Sequence, residues 1–71
     1  MGQINFDIKE VGEIIATARK EKQISGIKFS KMLGKSAGYM HMVENGLVNI
    51  PILTLIKICE ILSIDPKEFF D

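Results

Sequence analysis

Cysteine, tryptophan and proline are scarce in this chain of 71 residues, which has one Cys, no Trp and two Pro. Cys59 has no partner for an intramolecular disulfide, and with His41 the only histidine there is no Cys/His set for a structural zinc; no metal and no cofactor are expected. A lone histidine without Ser, Cys or a second His in motif spacing supplies no nucleophile and base. The carboxylates stand where helix caps are wanted rather than as a converging pair, so the chain is not expected to be an enzyme. Net charge is missing too. Nine Lys+Arg against nine Asp+Glu exclude a polycation that coats nucleic acid or anionic membrane through bulk charge. No apolar run approaches the length of a membrane span, no basic-then-apolar leader is present, and Phe6 stands where N-myristoylation wants Ser or Thr. A reducing, cytoplasmic setting with no membrane partner is therefore expected. The length is too short for two cores, and 46% hydrophobic residues is too apolar for a disordered tail, which leaves one small domain.

Alternating β-branched stretches are also lacking, and the apolar residues recur three and four apart, which predicts an all-α fold of five helices. Residues 1–7 form an N-terminal extension and residues 8–71 the helical domain. Asp7, with Glu10 three residues on, forms a capping box that opens a helix from about Ile8 to Lys22. Val11, Ile15 and Ala18 share its inner face, and Arg19, Lys20 and Lys22 suit the negative end of its dipole. Ser25 caps a second helix from Gly26 to Leu33, with Phe29 and Leu33 inward and Gly34 as the stop. Ser36 caps a third, from Ala37 to Glu44, with Met40 and Val43 inward and Asn45-Gly46 as its end. Pro51 fits the first turn of a fourth, in which Ile52, Leu55, Ile58, Cys59 and Leu62 make a wide apolar stripe as far as Ser63. Asp65-Pro66-Lys67-Glu68 opens a short fifth helix that buries Phe69, with Phe70 the next candidate.

The positive charge is not spread evenly. Residues 19–35 hold six of the nine basic residues and only Glu21 as an acid. This block covers the second helix, and only Gly34, Lys35 and Ser36 separate that helix from the third. Two short helices joined by a Gly-containing turn are the helix-turn-helix unit, whose second helix fits a DNA major groove. Around it stand Gly12, Arg19-Lys20, Ile24-Ser25, Leu33-Gly34, Ser36, Tyr39, Val43-Glu44-Asn45-Gly46, Thr54-Leu55, Lys57-Ile58, Glu60, Leu62 and Phe70. With these residues the chain resembles, from residue 11 to residue 70, the phage-repressor and Cro type of helix-turn-helix proteins, the XRE family. Val43 to Gly46 is the most specific piece.

The resemblance implies a five-helix bundle of the lambda-repressor kind. It also implies a sequence-specific DNA-binding transcriptional regulator, expected to be a repressor, that binds double-stranded DNA as a homodimer with its third helix in the major groove. A structural ion pair between Arg19 and Glu44 is implied as well. Carried onto this sequence, the base-facing positions are Ala37, Gly38, His41 and Met42. Lys28, Lys31, Lys35, Ser36, Asn45 and the free amides at the starts of helices two and three are candidate phosphate ligands.

The sequence departs from the family in two ways. Family members usually carry Gln, Arg, Asn, Ser or Lys at the base-facing positions, because base edges are read by donors and acceptors. Here only His41 qualifies, Gly38 costs up to about 1 kcal/mol relative to Ala inside a helix, and Gly26 stands where the second helix often opens with Gln. The other departure is apolar: Ile14, Ile27, Leu47, Val48 and Ile50 stand where polar residues are usual. Leu47, Val48, Ile50 and Pro51 are expected to form the dimer surface, with core filling as the alternative. A second expectation follows, in which the fold serves as a protein-protein interaction module with weak or no DNA binding. It would then dock a regulatory protein partner through Gly26, Ile27, Ala37, Gly38 and Met42. Met32, Met40 and Met42 read as adaptable packing, and Cys59 as a buried small hydrophobe.

Overall fold

The computed structural model describes residues 7–69; the predicted N-terminal extension before Asp7, with Phe6, and the Phe70 position lie outside the described residues. Asp7 opens α1, Ile8–Glu21, as an N-cap: its side chain accepts from the Lys9 amide at 3.0 Å and its carbonyl takes the Val11 amide at 2.9 Å. These bonds satisfy donors that a helix start leaves without intrahelical partners. Beyond α1 the chain reverses at Gln23, held at φ 58 although it is not glycine. Ser25 then caps α2, Gly26–Met32, by accepting from the Lys28 amide at 3.1 Å, and Gly34 at φ 72 ends it.

The next helix, α3, spans Tyr39–Glu44, two residues shorter at its start than the sequence predicts. Residues 36–39 form a turn in which the Tyr39 amide bonds the Ser36 carbonyl at 3.0 Å, and no side chain caps the helix. Ser36 is therefore a turn residue and not the predicted N-cap. The cap comes from α2 instead. The hydroxyl of fully buried Ser30 accepts from the Met40 amide at 3.0 Å and donates to the Gly26 carbonyl at 2.8 Å.

Pro51, with ψ 143, stands just before α4, Ile52–Leu62, and not in its first turn; Ser63, at φ 57, closes the helix. The predicted fifth helix is a single 3-10 turn, Pro66–Phe69, so the described residues hold four α-helices and no strand. Asp65 accepts the Lys67 amide on its side chain and the Glu68 amide on its carbonyl. That leaves only a short span for tight i→i+3 bonding, the usual form of so brief a helix.

Phe29, Ile15, Met40, Ile58 and Val43 are fully buried, and Phe69 is 4% exposed, so the terminal turn seals one end of the core. Leu55, Ile58, Cys59 and Leu62 face inward from α4, as their spacing predicts. Ile52 does not: it is 64% exposed, and the first turn of α4 overhangs a hollow of about 380 Å³ beside Ile8, Val11 and Ile50 instead of filling it. Leu53 and Ile56 lie outside the core as well. Among the described residues no helix is long and apolar enough to cross a membrane.

Candidate nucleic-acid interface

Three devices hold α3 in place, and each starts from a particular residue of α1 or α2. The first is Gly12, where α1 passes so close to the end of α3 that a Cβ would lie 2.5 Å from the Val43 carbonyl oxygen and 2.9 Å from that of Glu44. Only glycine permits this approach. The second is Arg19, two helical turns further along the same face of α1. Its Nε donates to Glu44 Oε2 at 2.6 Å and its Nη2 to Oε1 at 3.0 Å, the paired geometry that suits a guanidinium and a carboxylate. Nη1 donates to the Ile24 carbonyl at 2.7 Å, tying the α1–α2 turn into the same group. The two charged side chains are only 12% and 13% exposed. The hydrogen bond to Glu44 raises the Arg19 pKa, against the opposing effect of desolvation. The third device is Ser30, which fixes the opposite end of α3 through the Met40 amide.

The inner side of α3 is thus fully used. Met40 and Val43 are buried and Glu44 is paired, while His41 and Met42 point to solvent with Ala37 and Gly38 in the turn before them. Ala37 and His41 meet Gly26 and Ile27 of α2 around a hollow of about 300 Å³ whose lining also includes Arg19 and Glu44. Ile27 is 59% exposed and Met42 37%. The Asn45 side-chain amide turns back on α3. It donates to the His41 carbonyl at 2.6 Å and lies 3.5 Å from His41 Nδ1, so one of its two N–H groups helps to close the helix. Lys28, Lys31 and Lys35 are exposed on α2 and the following turn. The Lys35 ammonium sits 5.4 Å from the Tyr39 ring centroid, within cation–π range. The Tyr39 hydroxyl is buried without a hydrogen-bond partner, and burial raises its pKa.

Of the residues assigned to a dimer surface, Leu47 and Pro51 are exposed, whereas Val48 and Ile50 are half-buried against the core. Ile14 packs in the same way. Ile52, Leu53 and Ile56 of α4 are exposed apolar residues as well. Ser30, Leu53 and Ile56 are the residues that sequence reasoning misses. Leu53 and Ile56 carry a faint signal, since α4 is apolar on nearly every side and one helix cannot bury all of its faces. Among the described residues no group of three His, Cys, Asp or Glu side chains is placed to hold a metal ion.

A helix-turn-helix family profile matches residues 15–69. The "ImmF control region 10 kDa protein" of Bacillus phage phi105 is 34% identical over 60 residues, which cover 84% of this chain and 67% of the phage protein. The crystal structure of the restriction-modification controller protein C.AhdI from Aeromonas hydrophila has a TM-score of 0.77 with this structure. That match covers 90% of this chain and 93% of the controller at 26% sequence identity.

Proposed function

The chain belongs to the helix-turn-helix family of the XRE type and is a DNA-binding transcription regulator, and from that premise we propose that it is a homodimeric repressor that sets α3 into the major groove of a near-palindromic site. The family is one of transcription regulators, not of enzymes. One observation carries the reading: α3 is anchored by Ser30 at one end and by Gly12 and Arg19 at the other, while Ala37, Gly38, His41 and Met42 are exposed. A rigidly held helix with a free outer side is what docking into a groove requires. Lys28, Lys35 and the turn at Ser36 flank that side and contact phosphates, giving affinity with little base information. Leu47, Ile52, Leu53 and Ile56 form an exposed apolar patch that pairs with its own copy about a two-fold axis. The two α3 helices then stand about one helical turn of DNA apart, roughly 34 Å.

Selection from a randomised duplex pool at low salt, with the particle mass measured in the same buffer, tests this. A two-fold enriched site bound by a dimer supports the proposal, and Leu53→Glu should then give monomers that bind far more weakly. The second reading, an interaction module for a regulatory protein partner, draws on the exposure of Ile27, which shares a hollow with Gly26 and Ala37, and of Met42 on α3. Absence of any enriched duplex, together with a stable assembly whose formation ignores salt, would favour it, because phosphate-mediated binding falls steeply with salt.

A further inference from the structure

We infer that this regulator selects its site through thymine methyl groups, which Ile27, Ala37 and Met42 contact across a surface poor in polar side chains. The inference rests on the DNA-binding reading above and adds the base chemistry that the helix recognises.

The bareness of the surface is not imposed by the fold. At Gly38 an added Cβ would meet nothing within 4 Å, and φ is −90, a conformation open to any residue. At Gly26 a Cβ would meet Met40 Cβ at 3.8 Å and Arg19 Cζ at 4.0 Å, ordinary van der Waals distances. Both glycines therefore differ from Gly12, where the packing forbids a side chain. Gly26 and Gly38 leave the backbone open to close approach, and the exposed apolar side chains near them are Ile27, which lines the hollow with Gly26 and Ala37, and Met42, four residues beyond Gly38 on α3. Ala37 contributes its methyl at the rim of the hollow shared with Ile27 and His41.

In the major groove the thymine 5-methyl is the apolar feature on offer; it stands beside the O4, N6 and N7 groups of its A·T pair, and cytosine carries only a hydrogen at the same ring position. Both kinds of pair give up water from polar groups when pressed against Ile27 and Met42, so the discrimination lies in the methyl, whose burial is favourable. The selection thus works by attraction to thymine, with His41 the one side chain of Ala37, Gly38, His41 and Met42 able to hydrogen-bond a base.

The test remakes the duplex enriched from the random pool with deoxyuridine in place of thymidine at the half-site positions. This change deletes the methyl groups and leaves base pairing intact. For the unaltered protein, affinity should fall about fourfold for each methyl that was buried. Met42→Ala, a change at an exposed position whose fold is checked by circular dichroism, should bind the thymine duplex more weakly. It should also respond less to deoxyuridine and keep the salt dependence of the parent, since no phosphate contact is removed. Equal affinity for the two duplexes would overturn the inference while leaving DNA binding intact. Failure to enrich any duplex would overturn the inference and the DNA-binding reading together.

Discussion

Replacing Gly12 by Ala sets two effects of opposite sign against each other, and the structure decides between them. In an unconstrained helix the change stabilises by about 0.8–1.0 kcal/mol, because Ala loses less backbone entropy on folding. Here the new Cβ would lie 2.5 Å from the Val43 carbonyl oxygen, and ordinary contact begins near 3.4 Å. The end of α3 must therefore retreat from α1 by about 0.9 Å. The atoms in the way are backbone and cannot rotate aside. Overpacking of this sort costs about 1–3 kcal/mol, and the retreat also stretches the Arg19–Glu44 pair further along the interface. We expect a net loss of about 1–2 kcal/mol, each kcal/mol lowering the midpoint of thermal unfolding by about 4–8 °C in a domain of this size. Gly26→Ala is the matched control: its Cβ meets only ordinary contacts, so stability should hold or rise. Urea and thermal unfolding of the two variants give the comparison. A Gly12→Ala protein as stable as the parent, or more so, would refute the close approach of α1 and α3.

Four further outcomes follow from the same contacts. Ser30→Ala strands the buried Met40 amide, which should cost about 1–3 kcal/mol in urea unfolding; Ser30→Thr, which keeps the hydroxyl, should lose less if the bond and not the volume matters. Arg19→Ala leaves Glu44 charged and largely out of water, an expected loss of about 3 kcal/mol, whereas a loss under about 1 kcal/mol would put the pair with ordinary surface pairs. Gln23→Gly should add about 0.5–1 kcal/mol, since Gln23 adopts a left-handed conformation that glycine enters without strain; a lower melting temperature would contradict that geometry. Burial first, then Glu68 and Asp65, raises the Cys59 thiol pKa, so above the ordinary thiol value of about 8.5 the unfolded chain binds fewer protons than the folded one. Stability should consequently decline as pH rises beyond that point, and melting curves of Cys59→Ala should show a shallower decline.

Local chemistry makes much of the fold legible in the amino-acid sequence alone. Asp7, Ser25 and Asp65 cap as their sequence neighbourhoods predict, and Gly34 and Gly46 supply positive φ where helices stop. What stays hidden depends on partners distant in the chain. Ser30 reads as an ordinary polar residue until the turn brings Met40 onto it, ten positions later. That bond is also why α3 forms without Ser36 as its cap and starts later than the sequence predicts. Ile52 departs from its expected place because α4 is apolar on several faces, and periodicity cannot say which of them meets α1. Gln23 carries no turn signal at all, since its φ is set by the amides that close α1. The residues proposed to face DNA are legible only through the family resemblance; their physical environment is set by neighbours that the fold, not the local sequence, brings beside them.

The division of labour within α3 has a consequence for how such a regulator diversifies. Met40, Val43 and Glu44 belong to the bundle, so changes there are felt by Ser30, Gly12 and Arg19. Gly38, His41 and Met42 are exposed and take no part in the core, so changes of side chain there should disturb the bundle less. Under the proposed docking of α3, target preference can therefore change while the scaffold does not. By the same logic, the outward residues of a related protein could be grafted onto this helix as a set, exchanging one operator for another in a single step.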